Sequence, residues 1–477
     1  NITLVGRGGT TPTGNNTPGL NITSLATVTS ANGDIYFKGT GGSGLGATHP
    51  GIQLTNGATV SSTGTGNSAG EIRLEGTGGS GSQSAIGVSV LTDTADNTRI
   101  TSIDGDIFIE GHGGTGSASS AYGMFLGGNT GLGGKAIISS TGATNNAALI
   151  TIKGYGGDSP TTNIGVRIEN NSLITSGYGD IDIYGKAGTG SSDRQRGIFV
   201  FLNSGIESTG AGPDAATITL NGIGGSGSDK NAGIEMQMGS FIRTVDGDIG
   251  MQGTGGASTG AASYGIYISD YITNSSSSTP SPNSITASGT GAIRMTAVGG
   301  GANSLGIKAE GDLGHTISAN SGAISLTTDS VSLPHTNIAS NGTVSFIPYS
   351  AGTDIGVAEA PGILQINASL LDKISAGNIV IGRSDGTGFI GIGPYSWDDP
   401  VEFKTGPSGL IYLTGTQTGL PGTDASLTFS GPARTYYDIN LTGTTGTGAT
   451  FNGMREVKGA NAPTAVARWG RAGVHFR

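Results

Sequence analysis

Five acidic residues recur at one position of a repeated motif: Asp34, Glu71 and Asp106 in three successive copies, then Asp180 and Asp248. Stacking those copies leaves carboxylates about 5 Å apart, where like charges repel. Two arrangements relieve this. Clustered carboxylates favour a hard cation, which makes Asp34, Glu71 and Asp106 a candidate calcium ladder. Alternatively, each acid tops a Gly-Asp turn and faces solvent, where salt screens the repulsion. Both readings are open on the sequence, and calcium is the one cofactor it suggests.

Other motifs that could carry chemistry are weaker. Four stretches match G-x-G-x-x-G, from Gly39, Gly76, Gly111 and Gly222. A dinucleotide site uses one such copy to open a helix whose N-terminus meets the pyrophosphate. Here the motif recurs and leads into a Gly-started strand, so the glycines are expected in tight turns. GGSGSD, from Gly224 to Asp229, approaches a calcium-binding nonapeptide, but it stands alone and has Asn231 where an aliphatic belongs. His49, His112, His315, His335 and His475 are expected in different loops, and there is no H-E-x-x-H or nucleophile elbow. Paired carboxylates for glycoside hydrolysis need a separation of about 5–9.5 Å. Stacked coils supply that trivially, so the distance does not discriminate. The Arg, Lys and aromatic residues expected in a polysaccharide-degrading groove are scattered along the chain. No catalytic residue is assigned.

The elements that would position these residues follow from a repeat. DIYFKG (34–39), EIRLEG (71–76), DIFIEG (106–111), LITIKG (149–154), DIDIYG (180–185), TITLNG (217–222) and DIGMQG (248–253) share apolar second and fourth residues, with AIRMTA (292–297) as an eighth copy. That period of two is a half-buried strand. A second strand begins with Gly in GIQL from Gly51, GVSV from Gly87 and GMFL from Gly123. A shorter third strand lies around Val60, Ile100, Ile137, Ile174 and their equivalents up to Ile317. The closing glycines are spaced by 33, 37, 35, 43, 31, 37 and 31 residues from Gly6 to Gly253, so the loops absorb the variation.

Three short strands per cycle cannot build a core alone, but stacked cycles can. The expected fold is therefore all-β: a right-handed parallel β-helix of about a dozen coils with three short strands each, about 60 Å long. Two smaller coils per cycle, or irregular β-sandwiches, are the alternatives. Residues 1–330 are expected to hold regular repeats and 331–435 irregular coils continuing the stack. Residues 436–477 should form a C-terminal strand and basic tail, a candidate assembly segment.

Composition narrows the class. The chain has 477 residues, 91 of them Gly, with no Cys and only 12% charged residues. Disulfides and thiolate chemistry are thus absent. A net charge of −10 argues against nucleic acid as a partner. No apolar run is long enough to span a bilayer. A polar surface with few charges suits extracellular material.

The strings GDIYFKGTGGSG (33–44), GDIFIEGHGGTG (105–116) and SAGNIVIGRSDGTG (375–388) resemble the β-strand repeats of filamentous-haemagglutinin-type exoproteins and large bacterial surface adhesins. The resemblance covers about 1–435 and implies a role in adhesion, biofilm or cell-surface architecture. That family's amino-terminal secretion domain, with its Asn-Pro-Asn-Gly turn, is not found here, which suits a stalk segment or mature product.

The ends suggest assembly. ITLVG begins on a repeat strand, with Ile2 and Leu4 inward and an edge open to strand pairing. Residues 455–477 carry Arg455, Lys458, Arg468, Arg471 and Arg477 against Glu456, five positive charges less one negative. Val474 and Phe476 alternate on one side. The expectation is a cell-surface or extracellular building block that joins itself head to tail as a homopolymer. A carbohydrate-active enzyme is the alternative, as is a module binding glycans or host or neighbouring cell surfaces.

Overall fold

The computed structural model describes residues 1–11, 16–44, 48–81, 84–116, 120–129, 131–258, 260, 262–270, 281–301, 303–453, 456–457 and 474–476. The chain is an all-β parallel β-helix, divided into two compact units. The first comprises Asn1–Gly291 and Ala297–Thr316, the second Ala292–Thr296 and Ile317–Arg477.

In the first unit the repeat strands Ile35–Thr40, Ile72–Thr77, Ile107–His112, Ile150–Tyr155 and Ile181–Lys186 stack in parallel and in register. Ile35, Ile72, Ile107, Ile150 and Ile181 lie over one another, as do Phe37, Leu74, Ile109, Ile152 and Ile183. All ten are buried, so each inward position becomes an apolar ladder. The sixth position is Gly because of a close approach: a Cβ on Gly111 would lie 2.1 Å from the Gly123 carbonyl oxygen that opens the second strand of the same coil.

Second strands, such as Ile52–Thr55, Val88–Leu91, Met124–Gly127 and Val166–Glu169, form a separate parallel sheet. Third strands, such as Thr59–Ser62, Thr98–Ser102 and Ala136–Ser140, form their own ladder. One register differs from expectation. Ile138, rather than Ile137, pairs with Ile100 and Ile174, while Ile137 lies opposite Arg99 and Leu173. Between second and third strands the chain turns through left-handed residues, among them Asn56, Asn170, Asn171 and Asn203 with φ of 53–61°, a region Asn tolerates better than most side chains.

In the lobes, the Gly-rich stretches between first and second strands, described segments bond from coil to coil: the Gly79 N–H donates to the His49 carbonyl at 2.8 Å and the Gly114 N–H to that of Ala85 at 2.9 Å. Lobe segments stack too: Thr10–Thr11, Ser43–Gly44, Ser80–Gly81 and Thr115–Gly116 make a small parallel sheet.

In the second unit Ile293–Val298 pairs over Ile293–Thr296 with Ile324–Thr327. The parallel ladder then runs through Thr336–Ile347, Ile374–Gly382, Pro400–Lys404, Ser426–Ser430 and Ala449–Asn452. Thr336–Ile347 spans twelve residues because third and first strands have fused, with a shift of register between Ser340 and Thr343. No helix of the described residues is long and apolar enough to cross a membrane.

Candidate functional site

The recurrent acids lie at the corner that leads into the first strand. Asp34 Oδ1 accepts the Glu71 backbone N–H at 3.1 Å, Asp106 Oδ1 accepts that of Leu149 at 2.9 Å, and Asp180 Oδ1 that of Thr217 at 2.8 Å. Asn1 does the same for Asp34 at 3.0 Å. At a corner the main chain leaves the ladder, and a stacked side-chain oxygen pairs the N–H that a carbonyl cannot reach. Glu71 instead lies 3.8 Å from Arg73. Burial pushes its carboxyl pKa up; Arg73 opposes this, while Asp34 and Asp106 add to it.

Asp34, Glu71 and Asp106, with Asp104, Asn67 and Asn146, line a depression of about 250 Å³. Asp104 is engaged there by the Gly66 N–H at 2.6 Å. Among the described residues no three His, Asp or Glu side chains are placed to hold a metal ion. What holds Asp34 and Asp106 is the backbone of the next coil.

A second constellation was missed by sequence reasoning. Residues that look scattered along the sequence come into register on the outward side of the second strands, where Phe125, Arg167, Phe199, Glu235 and Tyr267 stack coil upon coil. The Arg167 guanidinium lies 5.2 Å from the Tyr122 ring and 5.7 Å from that of Phe199. It donates to Tyr122 Oη at 2.6 Å and to Glu169 Oε2 at 2.7 Å. Arg196 sits 4.1 Å from the Phe199 ring centroid and forms a two-point pair with Glu235, one bond measuring 3.1 Å.

Glu235 is wholly buried and also accepts from Gln237 at 2.5 Å. Tyr267 donates to Glu310, and burial, then this bond, pushes its phenol pKa up. Arg167 and Glu235 are each paired with an opposite charge, Glu235 with Arg196 of the preceding coil, so the chemistry the column supports is cohesion between coils. The third letter of GMFL, GVRI, GIFV, GIEM and GIYI was the available signal.

The histidines do not converge. His49 is buried in a lobe with Nδ1 against Thr17 Oγ1, and His335 has a left-handed backbone. Three of the five lie in strands rather than the expected loops: His112 ends Ile107–His112, His315 begins His315–Ala319, and His475 lies within Val474–Phe476. His112 stacks on Tyr155 at 4.6 Å. The GGSGSD stretch leads into a lobe whose Asn231 is buried and caps the Gln195 N–H at 3.0 Å.

Of the proposed assembly residues, Ile2 and Leu4 lie half-buried in Ile2–Arg7, which pairs with Ile35–Thr40. Val474–Phe476 pairs antiparallel with Ala449–Asn452, bringing Val474 opposite Phe451 and Phe476 opposite Ala449. Arg455, Lys458, Arg468 and Arg471 lie outside the described residues.

The fold and these sites define a parallel β-helix whose polar groups serve the stack. No family model, curated protein or solved structure matches the chain.

Proposed function

We propose that this chain is an extracellular structural building block of a bacterial surface fibre or adhesive stalk, joining copies of itself head to tail. The observation that carries the reading is that apolar ladders, corner acceptors and the Arg–aromatic column all bond along the stacking direction. Cohesion concentrated along one direction suits an element that bears load or extends a surface. A carbohydrate-active role would need an acid and a base free to meet a substrate, whereas the second-strand column pairs its charges internally. Self-association would use the Ile2–Arg7 edge and residues 436–477, with charge attraction between an acidic body and a basic tail adding to strand pairing.

Negative-stain microscopy of the purified chain tests the proposal. Filaments are expected at high concentration and low salt, and deleting 455–477 should abolish them while leaving the circular dichroism spectrum unchanged. A full chain that stays monomeric, or a truncated one that still polymerises, overturns head-to-tail assembly.

A further inference from the structure

The third strands of the first unit end on a column of small hydroxylated residues. Ser62 pairs with Ser102, Ser102 with Ser140, and Ser176 with Ser208. The same registers carry Ser140 next to Ser176 and Ser208 next to Thr244. All point inward with the apolar residue two positions earlier: Val60, Ile100, Ile138, Ile174, Ile206 and Ile242 are buried, and so is every hydroxyl residue of the column from Ser62 to Thr244.

The first members are satisfied by the turn that follows them. Ser62 Oγ donates to the Gly70 carbonyl at 2.6 Å, and Ser102 Oγ to that of Gly105. The next four differ. The hydroxyls of Ser140, Ser176, Ser208 and Thr244, on residues 5%, 1%, 2% and 3% exposed, have no protein partner.

We infer that these four hydroxyls hold a file of structural water molecules inside the first unit, bridging each coil to the next. Buried hydroxyls are normally paired with protein or ordered water, and four consecutive orphans at one position make a repeated site. Coils repeat at about 4.8 Å, too far for one hydroxyl to bond the next directly. A water about 2.8 Å from each of two oxygens so spaced subtends about 118°, close to tetrahedral. Its remaining bond can go to the turn carbonyls of the same corner, the groups that Ser62 and Ser102 use. That meets the two to four polar partners a buried water requires. Serine and threonine thus recur here because each leaves room for a water and supplies a ligand to it.

The test uses the full chain. Water-oxygen magnetic relaxation dispersion counts long-lived internal waters, and a high-resolution crystal structure locates them. Density is expected between successive hydroxyls from Ser140 to Thr244. The double variant Ser176→Ala/Ser208→Ala should lose about two long-lived waters or more and melt at a lower temperature. Wild-type density showing each hydroxyl bonded to a turn carbonyl with no water overturns the inference. So does a double variant with an unchanged water count, or with an unchanged or higher Tm. Should that variant fail to fold, the wild-type density decides alone.

Discussion

The two units solve one problem differently. In the first, turns and lobes separate the strands, and side-chain acceptors pair the N–H groups exposed there: Asp34, Asp106 and Asp180 between third and first strands, Gln195, Asn231, Ser263 and Ser304 in the lobes before second strands. In the second, Thr336–Ile347 and Ile374–Gly382 run through the corner between third and first strands as continuous strands, within which side chains cap single N–H groups: Ser340 Oγ accepts that of Gly342 at 2.9 Å and Asp399 Oδ2 that of Ala376 at 2.8 Å. The interiors differ correspondingly. The first unit stacks aliphatic side chains of similar size, while the second builds an aromatic spine from Trp397 through Phe403 and Phe429 to Phe451, with centroids 5.7, 5.6 and 4.6 Å apart. Trp397 is anchored at Gln417 through its ring N–H at 2.9 Å. Regular ladders tolerate loops of many lengths provided every corner is capped.

The largest expected effect breaks the inward ladder. Ile107→Asp or Ile181→Asp places a charge without a partner where exposure is nil, at a cost of about 4 kcal/mol or more. Tyr36→Ser, on the outer side, loses one bond to Glu75 and should cost about 1 kcal/mol. Denaturant melts of the three variants decide, and equal shifts would dismiss the assigned register.

Next comes the spine. Phe403→Ala should cost about 3–5 kcal/mol for cavity and transfer terms. Its stacking with Phe429 and edge contact with Trp397 add about 0.5–1.5 kcal/mol per pair. Phe403→Leu should therefore destabilise more than Phe37→Leu, whose stacked neighbours are Leu4 and Leu74. A reversed order in thermal melts would deny that the two interiors differ in kind.

Corner caps rank third. Asn231→Ala leaves the buried Gln195 N–H without its acceptor and takes from the Ala257 carbonyl one of its two donors, the Gly227 N–H remaining, about 1–3 kcal/mol. Asn341→Ala in the second unit removes only an exposed bond to Asn320 and should cost less than about 0.5 kcal/mol. Hydrogen exchange should quicken at Gln195 in the first variant and nowhere in the second; equal protection losses would break the contrast.

The first strands were legible because alternation and the closing Gly are local signals of constant length. The corner caps were not, since Gln195, Asn231 and Ser263 are equivalent only as oxygen acceptors, and loops of unequal length hide their alignment. The recurrent acids were seen at Asp34, Glu71 and Asp106, yet adjacency of carboxylates suggested a cation, while the N–H groups they meet have no side-chain signature. The Arg–aromatic column was spelled out in consecutive second strands, but residues of opposite chemistry at one position look scattered until the coils are superposed. Fused strands escaped because Val344/Phe346 and Ile379/Ile381 read as isolated pairs when the preceding residues are polar.

The smallest effect separates two kinds of acid in the first unit. Hydrogen bonds from the Gly212 N–H, then from the Thr290 N–H and hydroxyl, hold the Asp246 pKa below its ordinary value. Its stabilising contribution is present above the unfolded value of about 3.9 and is lost as pH falls through the lower folded value. Glu71 has the opposite sign: with its pKa raised, its contribution is present below about 4.3 and is lost as pH rises through the folded value. Glu71→Gln should therefore raise stability near neutral pH, whereas Asp246→Asn should lower it. Because the Glu71 side chain is 42% exposed, screening limits its gain to about 0.3 kcal/mol. Melting curves from pH 3 to 8 measure both, and shifts of the same sign would contradict the assignment. Asp106→Asn retains an oxygen for the Leu149 N–H and should be close to neutral, whereas Asp106→Ala loses it. A chelator added to the wild-type chain should leave Tm unchanged if these carboxylates serve the backbone alone. A fall in Tm that calcium restores would instead make the depression around Glu71 a cation site.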